Sequence, residues 1–176
     1  MRTLDASSRI GATHFAFTSQ ETTTTETAAH YRKPGWFTQH VFNPTVAGLT
    51  RLGISVWGSR VLVVTGRTSG TARRVPVDLL RHDGHEYLVS PRGEGQWVRN
   101  VRAAGGHLDL LLGRKRQHRI ATEIADADKI EILRAYLKRW KAEVGVFFDG
   151  TSATSTDEQL LAIAPKHPVF MLDDAA

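Results

Sequence analysis

The chain has 176 residues, of which 41% are hydrophobic, so it can bury one substantial core, whereas two full domains are not expected. It contains no cysteine, which excludes disulfides and thiolate catalysis. No apolar run reaches the roughly 18 residues that span a bilayer, and we expect a cytoplasmic protein. The net charge of +5 permits nucleic acid, anionic lipid or an anionic cofactor as partner.

The first 58 residues fall into two parts. Residues 1–29 lack hydrophobic periodicity and carry a threonine tract, which predicts a disordered tail. Residues 30–58 place apolar side chains three and four positions apart, which predicts one or two short helices. These helices either pack on the core or form a lid or a membrane-surface contact.

From residue 60 the pattern becomes that of short strands. The runs 60–65, 75–79, 87–89, 108–112 and 120–124 are rich in β-forming or alternating apolar residues. Asp83-Gly84 predicts a type I′ hairpin turn, and Gly113-Arg-Lys predicts a second turn. About five antiparallel strands within sixty residues favour a small barrel over a parallel sheet.

Three helices and a last strand complete the prediction. Residues 94–104 place Trp97, Val101 and Ala104 on one face. Asp128-x-x-Glu131 resembles a capping box before an apolar stripe, and Thr156-Asp-Glu-Gln159 opens a third helix in the same way. Residues 168–172 predict a strand that begins with proline.

Positive charge is concentrated in the strand region. Residues 60–119 contain twelve Lys and Arg against five acids, a net charge of +7, whereas the other residues net −2. Like charges on tight turns repel each other, so this excess indicates an anionic ligand. The turn Gly66-Arg-Thr-Ser-Gly70, followed by Arg73 and Arg74, offers amides, hydroxyls and guanidinium groups to phosphate oxygens. An exposed basic hairpin is the alternative.

A second loop, Ser90-Pro-Arg-Gly-Glu-Gly95, leads directly into the first helix. The N-terminus of a helix attracts anions through its unpaired N–H groups. Arg92 would reinforce that attraction, and Glu94 would oppose it. Both loops follow strands of one sheet, so we expect them to converge on one anionic ligand.

The sequence assigns no catalytic acid, base, nucleophile or metal. His82 and His85 flank the Asp83-Gly84 turn, where we expect both to be exposed without a metal. His118 lies in a strand among arginines and is expected at the surface. If the protein is an enzyme, a bound cofactor therefore carries the chemistry.

Four segments together resemble the deazaflavin-dependent nitroreductase family. They are Val-Thr-Gly-Arg-Thr-Ser-Gly-x-x-Arg-Arg-x-Pro-Val (64–77), Asp-Gly-x-x-Tyr-Leu-Val-Ser-x-Arg-Gly (83–93), Gln-Trp-x-x-Asn (96–100) and His-Pro-Val-Phe (167–170). The resemblance spans roughly residues 30–172. It implies an α+β, mainly β fold: a split β-barrel with an antiparallel Greek-key sheet and flanking helices, formed by residues 30–176 as a single domain.

The resemblance also implies the cofactor and its contacts. The cofactor is coenzyme F420, an anionic deazaflavin with a phosphate and a glutamate tail. Its phosphate side would meet Arg67, Thr68, Ser69, Arg73, Arg74, Pro76 and Val77. Its second side would meet Ser90, Pro91, Arg92, Gln96, Trp97, Arg99 and Asn100.

The family chemistry is hydride transfer from the reduced deazaflavin to a small acceptor: a quinone, an activated enone or a nitroaromatic. Three alternatives remain at this point: an FMN-dependent split-barrel oxidoreductase, a non-catalytic deazaflavin- or lipid-binding protein, and a nucleic-acid module. The chain departs from the family pattern at Thr68, where lysine is frequent. No tyrosine follows Tyr136, and an insert contains Phe147-Phe-Asp-Gly150. These departures argue against nitroaromatic reduction.

Overall fold

The computed structural model describes residues 58–175. The expected tail at 1–29 lies outside these residues, and so does the expected helical or membrane-contacting segment, apart from Gly58. No helix within the described range is both long and apolar enough to cross a bilayer. The same range holds no group of three or more His, Asp or Glu side chains arranged around a metal position.

Residues 58–175 contain six strands and three α-helices. The strands are β1 Ser59–Thr65, β2 Ala72–His82, β3 His85–Val89, β4 His107–Leu112, β5 Lys115–Glu123 and β6 Val169–Asp174. The helices are α1 Gln96–Ala103, α2 Ile130–Val144 and α3 Asp157–Ile163. Single 3-10 turns occur at Asp126–Lys129, Gly145–Phe147 and Ala164–Lys166.

The strands close into an antiparallel barrel in the order β1-β2-β3-β6-β5-β4. Strands β1–β3 form one meander and β4–β6 form another. The two meanders join where β3 pairs with β6 and where β1 pairs with β4. The predicted fold class, an antiparallel barrel with flanking helices, is confirmed.

Two tight turns define one end of the barrel, which we call the hairpin end. Asp83 and Gly84 have φ of 47° and 76°, as both central residues of a type I′ turn require. The β4–β5 turn places Gly113 first with φ of 59°, which fits type II′. Both predicted hairpins are therefore confirmed. The opposite end, which we call the α1 end, carries the β1–β2 loop and the β3–β4 connection that contains α1.

Alternation along the strands divides the core into two clusters. Inside the barrel, Leu62, Leu88 and Leu110 are at most 1% exposed, and Val98 and Val101 of α1 pack onto them from the α1 end. Outside the barrel, Leu80, Tyr87 and Val89 pack against α2 and α3. Helix α1 thus belongs to the barrel interior, whereas the other two helices cover its outer wall.

Two helix starts differ in outcome. Thr156 and Gln159 form the predicted capping box, with Gln159 N donating to Thr156 Oγ1 at 3.3 Å and Thr156 N donating to Gln159 Oε1 at 3.0 Å. The capping box predicted at Asp128 is wrong, because α2 begins at Ile130 with Lys129 at its N-cap and no side-chain cap. A 3-10 turn instead brings Asp126 Oδ1 within 2.6 Å of the buried Lys129 Nζ.

Candidate functional site

The β1–β2 loop is a closed turn that exposes its polar side chains. Gly70 N donates to Gly66 O at 2.8 Å, and Gly66 N donates to Thr71 O at 2.8 Å. A Cβ on Gly66 would lie 2.7 Å from Ser69 Oγ, so a larger residue would disturb the turn. Arg67, Thr68 and Ser69 are all exposed at its tip. The turn therefore presents one guanidinium and two hydroxyl groups to solvent.

Arg67 joins this turn to α1. Its Nη1 donates to Gln96 Oε1 at 2.7 Å and to Asn100 Oδ1 at 3.2 Å, and its backbone N donates to Asn100 Oδ1 at 3.2 Å. Asn100 is only 5% exposed, so a buried amide anchors an exposed loop. These contacts join the β1–β2 loop to α1, the helix into which the second loop leads.

The predicted residues of β2 do not all share one face. Arg73 Nη2 donates to Ser69 Oγ at 3.3 Å. Side chains alternate along a strand, so Arg73, six positions before the inward Leu79, lies on the same inward face. Val77 is also inward and packs against the interior cluster. Arg74 and Pro76 have the opposite parity and are exposed. Arg73 therefore points toward the loop at the α1 end, whereas Arg74 lies on the outer face of the strand.

Ser90 shapes the second loop from within. It is 2% exposed, its Oγ donates to Gly93 O at 2.6 Å, and its backbone N donates to Pro168 O at 2.8 Å. The loop continues for two residues beyond the expected helix start, because Gly93 has φ of 78° and Gly95 N donates to Gly93 O. The Ser90 hydroxyl thus makes a structural hydrogen bond within the loop, and the contact of Ser90 with the cofactor stays a prediction.

The N-terminus of α1 is open to an anion. Gly95, the N-cap, supplies no side-chain cap, and the first turn contains no acidic residue. Trp97 is partly buried, with its ring 5.7 Å from that of Phe170 in the barrel interior. Arg99 and Pro91 are partly exposed on the same connection. Backbone N–H groups at such a helix start favour a negative ligand.

Two contacts behind the second loop were not anticipated from the sequence. The Arg92 guanidinium lies 5.0 Å from the ring centroid of Phe147, within cation–π range. His167 is fully buried, stacks on Phe148 at 4.1 Å, and places Nδ1 3.4 Å from Ser90 O. The Phe147-Phe148 pair was visible as an insert, but its contact with the loop depends on tertiary structure.

Charge pairing distinguishes the two barrel ends. At the hairpin end, Arg119 contacts Glu86 and Asp174 at 2.7 Å each, and Arg81 contacts Glu86 at 2.8 Å. Within residues 58–175, no acidic group lies within ion-pair distance of five arginines of the α1 end and adjoining β2, namely Arg67, Arg73, Arg74, Arg92 and Arg99. A group of arginines without an acidic partner therefore lies around α1, the β1–β2 loop and the adjoining part of β2.

These features fit an anionic, phosphate-bearing ligand. Unpaired guanidinium groups, exposed hydroxyls and an uncapped helix start are all donors to phosphate oxygens. Both carboxylates beside α1, Glu94 and Glu123, are bound to Arg102. These groups are suited to binding and orienting such a ligand, and neither carboxylate beside α1 is unpaired.

A protein-family model decides the assignment. The model described as F420H(2)-dependent quinone reductase matches residues 45–157. The chain belongs to this family. It is accordingly an F420-dependent oxidoreductase, which confirms the cofactor and enzyme class implied by the sequence motifs.

Solved structures show related folds at low identity. An F420-H2-dependent reductase (FDR-A) is 20% identical, covering 66% of this chain and 94% of that chain with a TM-score of 0.45. Protein Atu2129 from Agrobacterium tumefaciens str. C58, of unknown function, is 12% identical, covering 85% of this chain and 60% of that chain with a TM-score of 0.50. No curated protein matches the chain.

Proposed function

We propose that this F420-dependent reductase binds its cofactor at the α1 end and reduces a quinone-type acceptor. The observation that carries the proposal is the junction at Arg67, whose unpaired guanidinium is fixed by Gln96 and Asn100 beside the uncapped start of α1. The quinone is supported by the description of the matching family. An enone or a nitroaromatic is the less favoured acceptor.

The residues of the α1 end bind and orient the cofactor. Arg67, Ser69 and Arg73 would hold the phosphate and glutamate tail, together with the N–H groups at the start of α1. Thr68 would add a contact at the loop tip, and Arg74 one on the outer face of β2 with Pro76 beside it, whereas Val77 would contribute only from the inward face of the strand. Arg92 would approach from the second loop, with Pro91, Trp97 and Arg99 beside it.

When bound, the reduced deazaflavin supplies the hydride, and a quinone that accepts it takes up one proton to become a hydroquinone. Neither Glu94 nor Glu123 is free to donate that proton, since Arg102 engages both. The contribution of the described residues is therefore position and electrostatics.

The proposal is tested by parallel fluorescence titrations of the purified protein with F420 and with FMN. We expect saturable binding of F420 and none of FMN at the same concentrations. Oxidation of reduced F420 is then followed with menadione as the quinone, beside an enone and a nitroaromatic. Turnover with menadione supports the proposal. Binding of FMN without F420 would overturn the proposed function, and binding of F420 without turnover of any acceptor would identify a non-catalytic carrier.

A further inference from the structure

One acidic residue lies beside the proposed anion site. Glu94 directly precedes Gly95, the N-cap of α1, and follows Arg92 by two positions. A free carboxylate there would repel an anionic ligand, and it could itself accept hydrogen bonds from the open N–H groups of the helix. The sequence alone therefore presents Glu94 as an obstacle to binding.

The structure shows how this carboxylate is engaged. Glu94 Oε1 lies 2.6 Å from Arg102 Nη1, a residue eight positions farther along the chain. The two side chains therefore meet beside α1, and the Glu94 carboxylate is paired rather than free. The other edge of the Arg102 guanidinium binds Glu123 of β5. Nε donates to Oε2 and Nη2 donates to Oε1, both at 2.7 Å.

The bidentate contact with Glu123 fixes the direction of Arg102. Planar guanidinium–carboxylate pairs of this kind hold a defined geometry. The hydrogen bond to Glu123 raises the pKa of Arg102 above its ordinary value. Burial lowers the pKa, and the hydrogen bond to Glu94 raises it again. Arg102 thus stays charged at any working pH.

We propose that Arg102 is a positioning residue for the anionic cofactor, because its guanidinium pairs with the Glu94 carboxylate next to the start of α1 and offsets part of its negative charge. The inference rests on the proposed function, since it requires the cofactor anion to lie at the α1 end. Arg102 is not among the predicted cofactor contacts, yet it would influence the affinity for the cofactor. Arg102 itself need not touch the ligand.

The test is a set of F420 titrations at low ionic strength, followed by fluorescence. Arg102→Gln should raise the Kd roughly three- to thirtyfold, since a bare carboxylate several ångströms from an anion repels it by that order. Adding Glu94→Gln to that variant should return the Kd to within about twofold of wild type. Arg102→Lys, which retains the charge, should lose less affinity than Arg102→Gln.

Arg81→Gln is the matched control. It removes one arginine from an ion pair with Glu86 at the hairpin end, so the net charge changes equally but far from α1. We expect its Kd to stay within about twofold of wild type. The effect of Arg102→Gln should also shrink as salt is raised to about 0.5 M, because salt screens partly exposed charges.

Each outcome separates the inference from the proposed function. If wild type fails to bind F420, the proposed function fails and the inference fails with it. If wild type binds and Arg102→Gln binds equally well, or if Glu94→Gln does not restore the double variant, the inference alone is wrong. Should Arg102→Gln not fold, Glu94→Gln alone decides: unchanged or tighter binding supports the proposal, and weaker binding contradicts it.

Discussion

Asn100 shows how one buried side chain organises an exposed site. Its Oδ1 accepts from both the backbone N and the Nη1 of Arg67. A neutral amide supplies these acceptor positions without cancelling the positive charge of the guanidinium. The amide therefore holds Arg67 in place and leaves its charge available to a ligand.

Replacing Arg67 tests that charge directly. Arg67→Ala should weaken F420 binding by roughly ten- to a hundredfold, since a charged hydrogen bond contributes about 1.5–3 kcal/mol. The apo-protein should melt at nearly the wild-type temperature, because the side chain is exposed. Arg114→Ala, at the exposed hairpin end, is the control and should leave both quantities unchanged. A large loss of stability with normal affinity would make Arg67 a structural residue instead.

Asp78 carries the clearest pH dependence in the described residues. Burial, together with the nearby Glu143, raises the pKa of Asp78 to about 6, while Arg139 acts in the opposite direction. The folded state thus keeps this proton between about pH 4 and pH 6, where the unfolded chain has released it. The stabilisation is complete below about pH 4 and is lost as the pH rises through about 6.

Asp78→Asn removes this titration. At pH 7.5 the variant should exceed wild type in free energy of unfolding by about 1–3 kcal/mol, since no charge is buried. Near pH 4 the two proteins should be nearly equal. Urea denaturation across this pH range measures the difference. A difference that does not change with pH would show that the Asp78 carboxyl titrates normally in the fold.

At the scale of elements, α1 and α3 begin in opposite ways. Helix α3 has a full capping box and two acids, Asp157 and Glu158, in its first turn. Helix α1 has neither a side-chain cap nor a first-turn acid. In α3 the capping box therefore satisfies the Gln159 N–H, whereas the glycine N-cap of α1 has no side chain that could do so.

Thr156→Ala should measure how much the capping box of α3 contributes to the stability of the protein. Loss of the Thr156 cap should lower the free energy of unfolding by about 1 kcal/mol, in line with other N-cap removals. Thr156→Ser retains a hydroxyl acceptor and should lose less. Chemical denaturation gives both values, and F420 affinity should remain unchanged in both variants. Equal stability of all three proteins would mean that α3 is held by packing alone.

At the scale of the molecule, several arginines near α1 lack an acidic partner among residues 58–175, whereas most arginines of the hairpin end have one. The hairpin end balances Arg81 and Arg119 with Glu86 and Asp174. The α1 end leaves its arginines unbalanced within residues 58–175. A binding free energy that depends on such unpaired charge must respond to ionic strength.

We therefore expect F420 affinity to fall several-fold as salt rises from about 0.05 to 0.5 M. Arg73→Gln should both weaken binding and flatten the salt dependence, because it removes one of the responsible charges. Arg81→Gln should keep the wild-type slope. Titrations at four or five salt concentrations suffice, and a Kd that is independent of salt would contradict an electrostatic site.

Much of the fold could be predicted because its signals are local. The Asp83-Gly84 turn and the Thr156 box each lie within a few residues, and both were found. The predicted start of α2 is wrong. The buried ammonium group of Lys129 needs hydrogen-bond acceptors, and the 3-10 turn supplies one of them, Asp126 Oδ1, while Ala164 O supplies another. The contacts Glu94–Arg102 and Arg92–Phe147 join residues whose proximity depends on tertiary packing. The sequence motifs therefore predicted the two basic loops but not these contacts.

The insertion of β6 between β3 and β5 has a consequence for biogenesis. Leu88 pairs with Phe170, 82 positions later, so two strand edges stay open until residues 169–174 become available. Open edges are templates for aggregation, and long-range pairing slows folding. Pro168 O, which accepts a hydrogen bond from Ser90 N, directly precedes β6 and becomes available together with that strand. We therefore expect the Ser90 loop to form, and the open strand edges to close, only when β6 pairs with β3 and β5.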